Sequence, residues 1–276
     1  IVPVNNDSVG PQLEKQALDF IITNPALYAS LEAKFGVSRI ATLKNLRLDN
    51  AYTVFGAVIF TRADRDDITS LQDLRGKSFM AVHPNAFGGW WMALKLLSDY
   101  DIHPETDFSK IVFSGFPQDK IALAVKSAQV DAGTVRTDLL ERMQKEGQIK
   151  LSEFKILNAQ EQTGNFPFVR STRLYPEWAF ATTKQVPDEL AQRVTIALLS
   201  LSADTHVAKK AESAGWTVPL DYQPVHDLMI SLKVGPYAKL AKINPIDVIK
   251  KYSVWIEVFL AAFIGLGIAT VIFFNM

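Results

Sequence analysis

Ser78-Phe79-Met80-Ala81-Val82 runs straight into His83-Pro84-Asn85-Ala86-Phe87-Gly88-Gly89-Trp90-Trp91, and this pair of segments decides the fold class. The first reads as a short strand, bounded by turn residues. Pro84 and the two glycines punctuate it, and a helical stretch follows. Small residues let the backbone approach a ligand, and N–H groups at a helix start attract anions. The alternative is a tight turn with glycines there for sterics. The spacing is neither GxGxxG nor a P-loop, so no nucleotide is inferred.

The same strand-then-helix rhythm extends in both directions. Further strands are predicted at Ile40–Leu46, Tyr52–Phe60, Lys110–Phe113, Asp131–Val135, Phe154–Leu157 and Trp178–Thr182, with helices between them. Leu190, Val194, Ala197, Leu198 and Leu201 fall on one helical face, with Pro187, Asp188 and Glu189 suited to its first turn. Such alternation predicts an α/β fold with largely parallel sheets. Ala17–Asn24 and Gln129–Arg136 also echo each other: each follows a helix, enters a short strand and opens into a polar loop. Two similar units suggest two similar lobes. Ligands of open α/β sheets bind beyond the carboxyl ends of the strands, so the two loops are expected to face a shared cleft.

Three places carry candidate binding chemistry. One is the turn at Gly88. The second is the helix start Phe116-Pro117-Gln118-Asp119-Lys120, where Gln118 suits a ligand hydrogen bond and Asp119 suits a cap. The third is Arg136, at the end of its strand, whose guanidinium fork matches an oxyanion. Its competing role is a salt bridge with Asp138 or Glu141. Arg170 and Arg173 fall either near a hinge or on the surface.

Composition narrows the function. The 276 residues are 48% hydrophobic, which is ample for packed cores. Lys+Arg 29 against Asp+Glu 29 leaves no net charge, which gives no electrostatic case for nucleic acid. Without cysteine there are no disulfides, thiolate zinc sites or thiol catalysis. The four histidines have no metal spacing, no GxSxG is present, and Asp64, Asp66 and Asp67 lack the calcium-loop pattern. The chain reads as a binding protein, not an enzyme, with no cofactor. It starts at Ile1, so either a leader was removed or the numbering begins inside a longer chain.

Val258–Phe274 contains 17 residues without a charge, at the short end of the roughly 17–25 that a bilayer requires. Tyr252 and Trp255 suit an interfacial belt, and Lys250 and Lys251 can snorkel. One transmembrane helix is therefore expected over 254–274, after a linker at 241–253.

DFIITNPALYASLEAKFGVSRIATL (19–43), GAVIFTRADRDDITSLQDLRGKSFMAVHPNAFGGWWMALKLL (56–97) and FSGFPQDKIALAVKSAQVDAGTVRTDLLERM (113–143) resemble the phosphate/phosphonate-type periplasmic substrate-binding family. They are most similar to its membrane-attached branch, the sensor domains of tetrathionate-type sensor histidine kinases. The resemblance implies a two-lobed Venus-flytrap fold that binds a small oxyanion. It places Thr23, Asn24 and Tyr28 in one lobe's wall of the pocket, and Phe87, Gly88, Gln118 and Arg136 in the other's. The expected lobes are 1–68 with 161–240, and 69–160. The family begins with a further strand and helix, and IVPV (1–4) reads as the second strand of the first lobe. The resemblance also implies a single-pass protein of the bacterial inner membrane with its globular domain in the periplasm. Lys250 and Lys251 precede the span, which reverses the usual charge bias, so balancing charge is expected beyond Met276. Expected partners are a small anionic ligand, membrane lipid, and a kinase module or other membrane subunits. The competing reading is an accessory or scaffold subunit of a membrane complex.

Overall fold

A computed structural model describes residues 2–4, 6–162, 166–242, 249–250, 252–259 and 262–263. Residues 1–232 form one compact unit, and 233–276 form a second. In chain order the elements are α1 (Asn6–Glu14), β1 (Phe20–Thr23), α2 (Pro25–Phe35), β2 (Ser38–Arg47), β3 (Asn50–Tyr52), β4 (Val54–Phe55), β5 (Ala57–Arg62) and β6 (Ser78–Ala81). Then come α3 (Met92–Asp99), α4 (Pro104–Asp107), β7 (Lys110–Phe113), α5 (Asp119–Lys126), β8 (Ala132–Arg136), α6 (Leu139–Lys145) and β9 (Phe154–Leu157). The chain returns through β10 (Tyr175–Pro176), β11 (Ala179–Thr182), α7 (Asp188–Leu199), α8 (His206–Lys210), β12 (Ser213–Thr217) and α9 (Gln223–Leu232).

Two five-stranded sheets make the two lobes. The first has the order β1-β11-β2-β12, with β3 also on β2; the second has the order β7-β6-β8-β5-β9. Between them lies the short pair β4–β10, where Phe55 faces Tyr175 and Val54 faces Pro176. The chain thus passes from one sheet to the other at β4 and comes back at β10. Sheet membership changes ahead of the expected boundary at 68, because β5 pairs with β8 and β9 of the second sheet.

Strand direction corrects one expectation. The pairings of the first sheet are antiparallel, and only β6–β7 and β6–β8 of the second are parallel. The cause is the return of the chain. β1 and β2 run the same way, as a strand–helix–strand unit requires, but β11 inserts between them and opposes both. Residues 2–4 lie in no strand, so the expected strand at IVPV does not form there.

Local chemistry accounts for the helices nearest the cleft. Asn24 caps α2, its side-chain oxygen accepting from the N–H groups of Ala26 and Leu27 at 3.1 Å each. Pro25 supplies the preset φ of the first turn, and Gly36 ends the helix at φ +65. In the second lobe, Val58 and Phe60 of β5 pack with Ile121, Val125, Leu139 and Leu140. Each such side chain contributes about 1.5–3 kcal/mol on burial. Gly133 lets α5 lie close on β8, since a Cβ there would stand 2.6 Å from Ile121.

Of the C-terminal expectations, 243–248 and 251 of the linker and 260–261 and 264–274 of the membrane helix lie outside the described residues. Residues 252–259 are helical, with Val254, Trp255, Val258 and Phe259 exposed. Among the described residues, no helix is long and apolar enough to cross a membrane.

Candidate functional site

Arg136 ends β8 with its guanidinium committed on several sides. Its Nε donates to Asp138 Oδ1 at 3.2 Å, its Nη2 donates to Glu177 Oε1, and its guanidinium carbon sits 4.1 Å from the centre of the Phe55 ring. Its backbone N–H donates to the side-chain oxygen of Gln118 at 2.9 Å. Burial works against the positive charge. The facing carboxylates of Glu177 and Asp138 more than offset it, and hold Arg136 above the ordinary guanidinium range. Of the two competing roles read in the sequence, the ion pair with Asp138 is present, and Glu177 adds a second.

The network crosses between the lobes. Glu177, fully buried just after β10, also accepts from Asn45 Nδ2 at 3.1 Å and from the Trp178 N–H at 3.3 Å. Its carbonyl oxygen accepts from the Tyr222 hydroxyl. Arg47 of β2 pairs with Asp138 at 2.9 Å. Asp138 sits at the N-cap position of α6 with φ +75, yet makes no side-chain cap bond; its carboxylate goes to the arginines instead. Burial pushes the Asp138 carboxyl up, while Arg136 and Arg47 oppose that rise. Beside the network lies a recess of about 310 Å³, lined by Arg47, Gln118, Asp119, Arg136, Asp138 and Arg142 among others. It is at the lower end of the range of ligand pockets, about 300–1,000 Å³. Asp119 is the first residue of α5 and Gln118 precedes it without a side-chain cap bond, so the carboxamide of Gln118 is spent on Arg136.

Phe87 and Gly88 reach the same place from another direction. Residues Phe87–Trp91 form a π-helical turn ahead of α3. The segment closes on itself: Trp91 Nε1 donates to the Pro84 carbonyl at 2.7 Å, and the Val82 N–H donates to the Gly89 carbonyl at 3.3 Å. The Phe87 ring packs on Phe55 at 6.1 Å and on Tyr175 at 5.4 Å, the facing residues of the β4–β10 pair. A Cβ at Gly88 would stand 2.7 Å from the Phe55 ring. Phe55 therefore joins this turn to Arg136.

The first-lobe candidates are occupied locally. Thr23 is buried, and the Asn24 side chain caps α2. The Tyr28 hydroxyl donates to Glu32 Oε1 at 2.5 Å and accepts from Arg39 Nη1 at 3.2 Å. Burial, with Glu32 close by, pushes that hydroxyl up to about 12. The Tyr28 ring meets Tyr222 edge-on at 5.0 Å. Tyr28 thus connects to Arg136 through Tyr222 and Glu177.

Sequence reasoning missed Asn45, Arg47, Phe55, Glu177 and Tyr222. Some signals were present. Asn45 and Arg47 are two apart on a strand and so share a face. Glu177 is a lone charge in the otherwise uncharged run LYPEWAF. Arg170 donates to the carbonyls of Thr172 and Glu161, and the Arg173 guanidinium lies 5.6 Å from the Tyr175 ring centre; neither belongs to the network around Arg136.

The family profile described as "ABC transporter, phosphonate, periplasmic substrate-binding protein" matches residues 2–224. The tetrathionate sensor histidine kinase TtrS of Salmonella typhimurium is 35% identical over 237 residues, which is 86% of this chain and 38% of that protein. The chain therefore spans well under half the length of that relative. Among solved structures, PhnD1 of Prochlorococcus marinus, in complex with methylphosphonate, is similar with a TM-score of 0.63 and 15% identity. That likeness covers 84% of this chain and 85% of the other. A binding-protein component of an ABC phosphonate transporter from Pseudomonas aeruginosa gives a TM-score of 0.61 at 16% identity, over 95% and 86% of the two chains.

Proposed function

Because the chain belongs to the phosphonate-type periplasmic substrate-binding protein family, we propose that it is a sensor domain for a small sulfur or phosphorus oxyanion. The observation that carries this reading is the position of Arg136, at a strand end between the lobes and on the wall of the recess it shares with Gln118, Arg47 and Arg142. Guanidinium groups bind oxyanions through paired, charge-assisted bonds, each contributing about 1.5–3 kcal/mol. Thr23, Asn24, Tyr28, Phe87, Gly88 and Gln118 complete the proposed walls. Binding shifts the domain only through a difference in affinity between arrangements of the lobes. The kinase name of the relative supports a signalling partner beyond the binding domain.

We also propose that 254–274 anchors the domain in the bacterial inner membrane by a single pass, with the globular part in the periplasm. The uncharged run at Val258–Phe274 supports this.

Calorimetry with tetrathionate, thiosulfate, phosphate and methylphosphonate tests the ligand class. Binding of at least one with Kd below about 1 mM is expected. If none binds, the sensor reading fails. The accessory-subunit reading then takes its place, supported by a network whose charges already balance: Arg136 and Arg47 against Glu177 and Asp138.

A further inference from the structure

An anion that approaches Arg136 meets a competitor already in place. Glu177 belongs to the first lobe's return segment and Arg136 to the second lobe's sheet, so their bond holds one lobe to the other. The carboxylate of Glu177 is itself a bound oxyanion. It is fully buried, and its oxygens are met by Arg136, the Asn45 amide and the Trp178 N–H. These are the donors a small oxyanion needs: a guanidinium, a side-chain amide and a backbone N–H. The Asn45 donor sits on strand β2, and the Trp178 backbone, just ahead of β11, is held to that strand by the Leu43 N–H on its carbonyl at 2.9 Å, so both donors are fixed independently of the carboxylate.

We propose that Glu177 is a built-in competitor for the anion seat on Arg136, and that a ligand oxyanion binds by displacing its carboxylate. This rests on the sensor reading above and adds its regulation. The affinity of the domain is the ligand's hold on Arg136 less the hold of Glu177. Displacement also cuts one ionic tie between the lobes, leaving Arg47–Asp138 and the exposed Lys145–Asp49 pair. Ligand entry and loosening of the lobes are thereby one event. The seat selects for strong acceptors with several oxygens, since a weak monodentate anion does not match the tethered carboxylate.

Glu177→Gln tests this by calorimetry with the same four anions. The neutral amide keeps the shape and an oxygen for Asn45, but loses the charge that competes. Affinity for whichever anion the native chain binds should rise about tenfold or more, equivalent to about 1.4 kcal/mol. Glu177→Ala should show the same gain, and there added formate, the displaced group free in solution, should compete with the anion. If the native chain binds an anion and neither variant binds it more tightly, the competitor is overturned while the sensor reading stands. If no anion binds any of the three, the sensor reading fails and the competitor with it.

Discussion

Arg47 Nε lies 2.9 Å from Asp138 Oδ2, tying a strand of the first sheet to the loop that follows β8 in the second. Both side chains are largely buried, with 23% and 7% exposure. Deleting Arg47 leaves Asp138 with Arg136 as its remaining cation, so the cost is below the about 3–5 kcal/mol of a fully orphaned buried charge. Arg47→Met should therefore lower the melting temperature clearly. Arg47→Met combined with Asp138→Asn should recover much of the loss. A double variant no more stable than Arg47→Met would show that the pair is not coupled.

Glu141 makes stability depend on pH. One of its oxygens accepts from the Val169 N–H at 2.6 Å, and the other is buried without a hydrogen bond. Burial pushes its carboxyl up to about 7. The folded state then holds a proton more tightly than the unfolded chain does. The resulting stabilisation is full below the unfolded value of about 4.3 and is lost as pH rises through about 7, by roughly 3–4 kcal/mol. Glu141→Gln should flatten that loss, keeping the bond from Val169. Urea titrations at several pH values measure it, and an unchanged pH slope would count against the role of Glu141.

Gly88→Ala should disturb the site from the other side. The added methyl must push the Phe55 ring away, and overpacking of this kind costs about 1–3 kcal/mol. Because Phe55 also stacks on Arg136, anion affinity should change together with the melting temperature. A stability loss with unaltered affinity would separate Phe55 from the seat.

Tyr28→Phe should behave differently. It removes the hydroxyl between Glu32 and Arg39, costing about 1–3 kcal/mol, but leaves the ring against Tyr222. A fall in anion affinity beyond about threefold would instead put the Tyr28 hydroxyl on the ligand.

Removing Val258–Met276 should move the chain from the membrane fraction to the soluble fraction. Sedimentation with membranes after the deletion would require another anchor.

The second lobe was largely legible because its signals are local. Lys110–Phe113 and Phe154–Leu157 form as strands over the expected residues, and the echo of Ala17–Asn24 in Gln129–Arg136 places one strand in each sheet. What was hidden is non-local. β12 reads Ser-Ala-Gly-Trp-Thr, with Gly215 at φ +92 and a register shift between Ser213 and Trp216, so no alternation marks it. The antiparallel insertion of β11 depends on the chain's return from the other lobe. Arg136 was legible as a cation at a strand end, but its partner Glu177 lies 41 residues away and meets it only when that return is made.

The central claim is that Arg136 is the anion seat, and a neutralised pair tests it most directly. Arg136→Met with Glu177→Gln removes the guanidinium without leaving the buried carboxylate charge behind, so the fold is not burdened by an orphaned ion. Calorimetry of this double variant against Glu177→Gln alone, with tetrathionate, thiosulfate, phosphate and methylphosphonate, is the measurement, because the two then differ only in the guanidinium. The account predicts binding of at least one anion by the native chain, and affinity at least about tenfold weaker in the folded double variant than in Glu177→Gln. Equal affinity in the two variants, or no binding by the native chain, would contradict it.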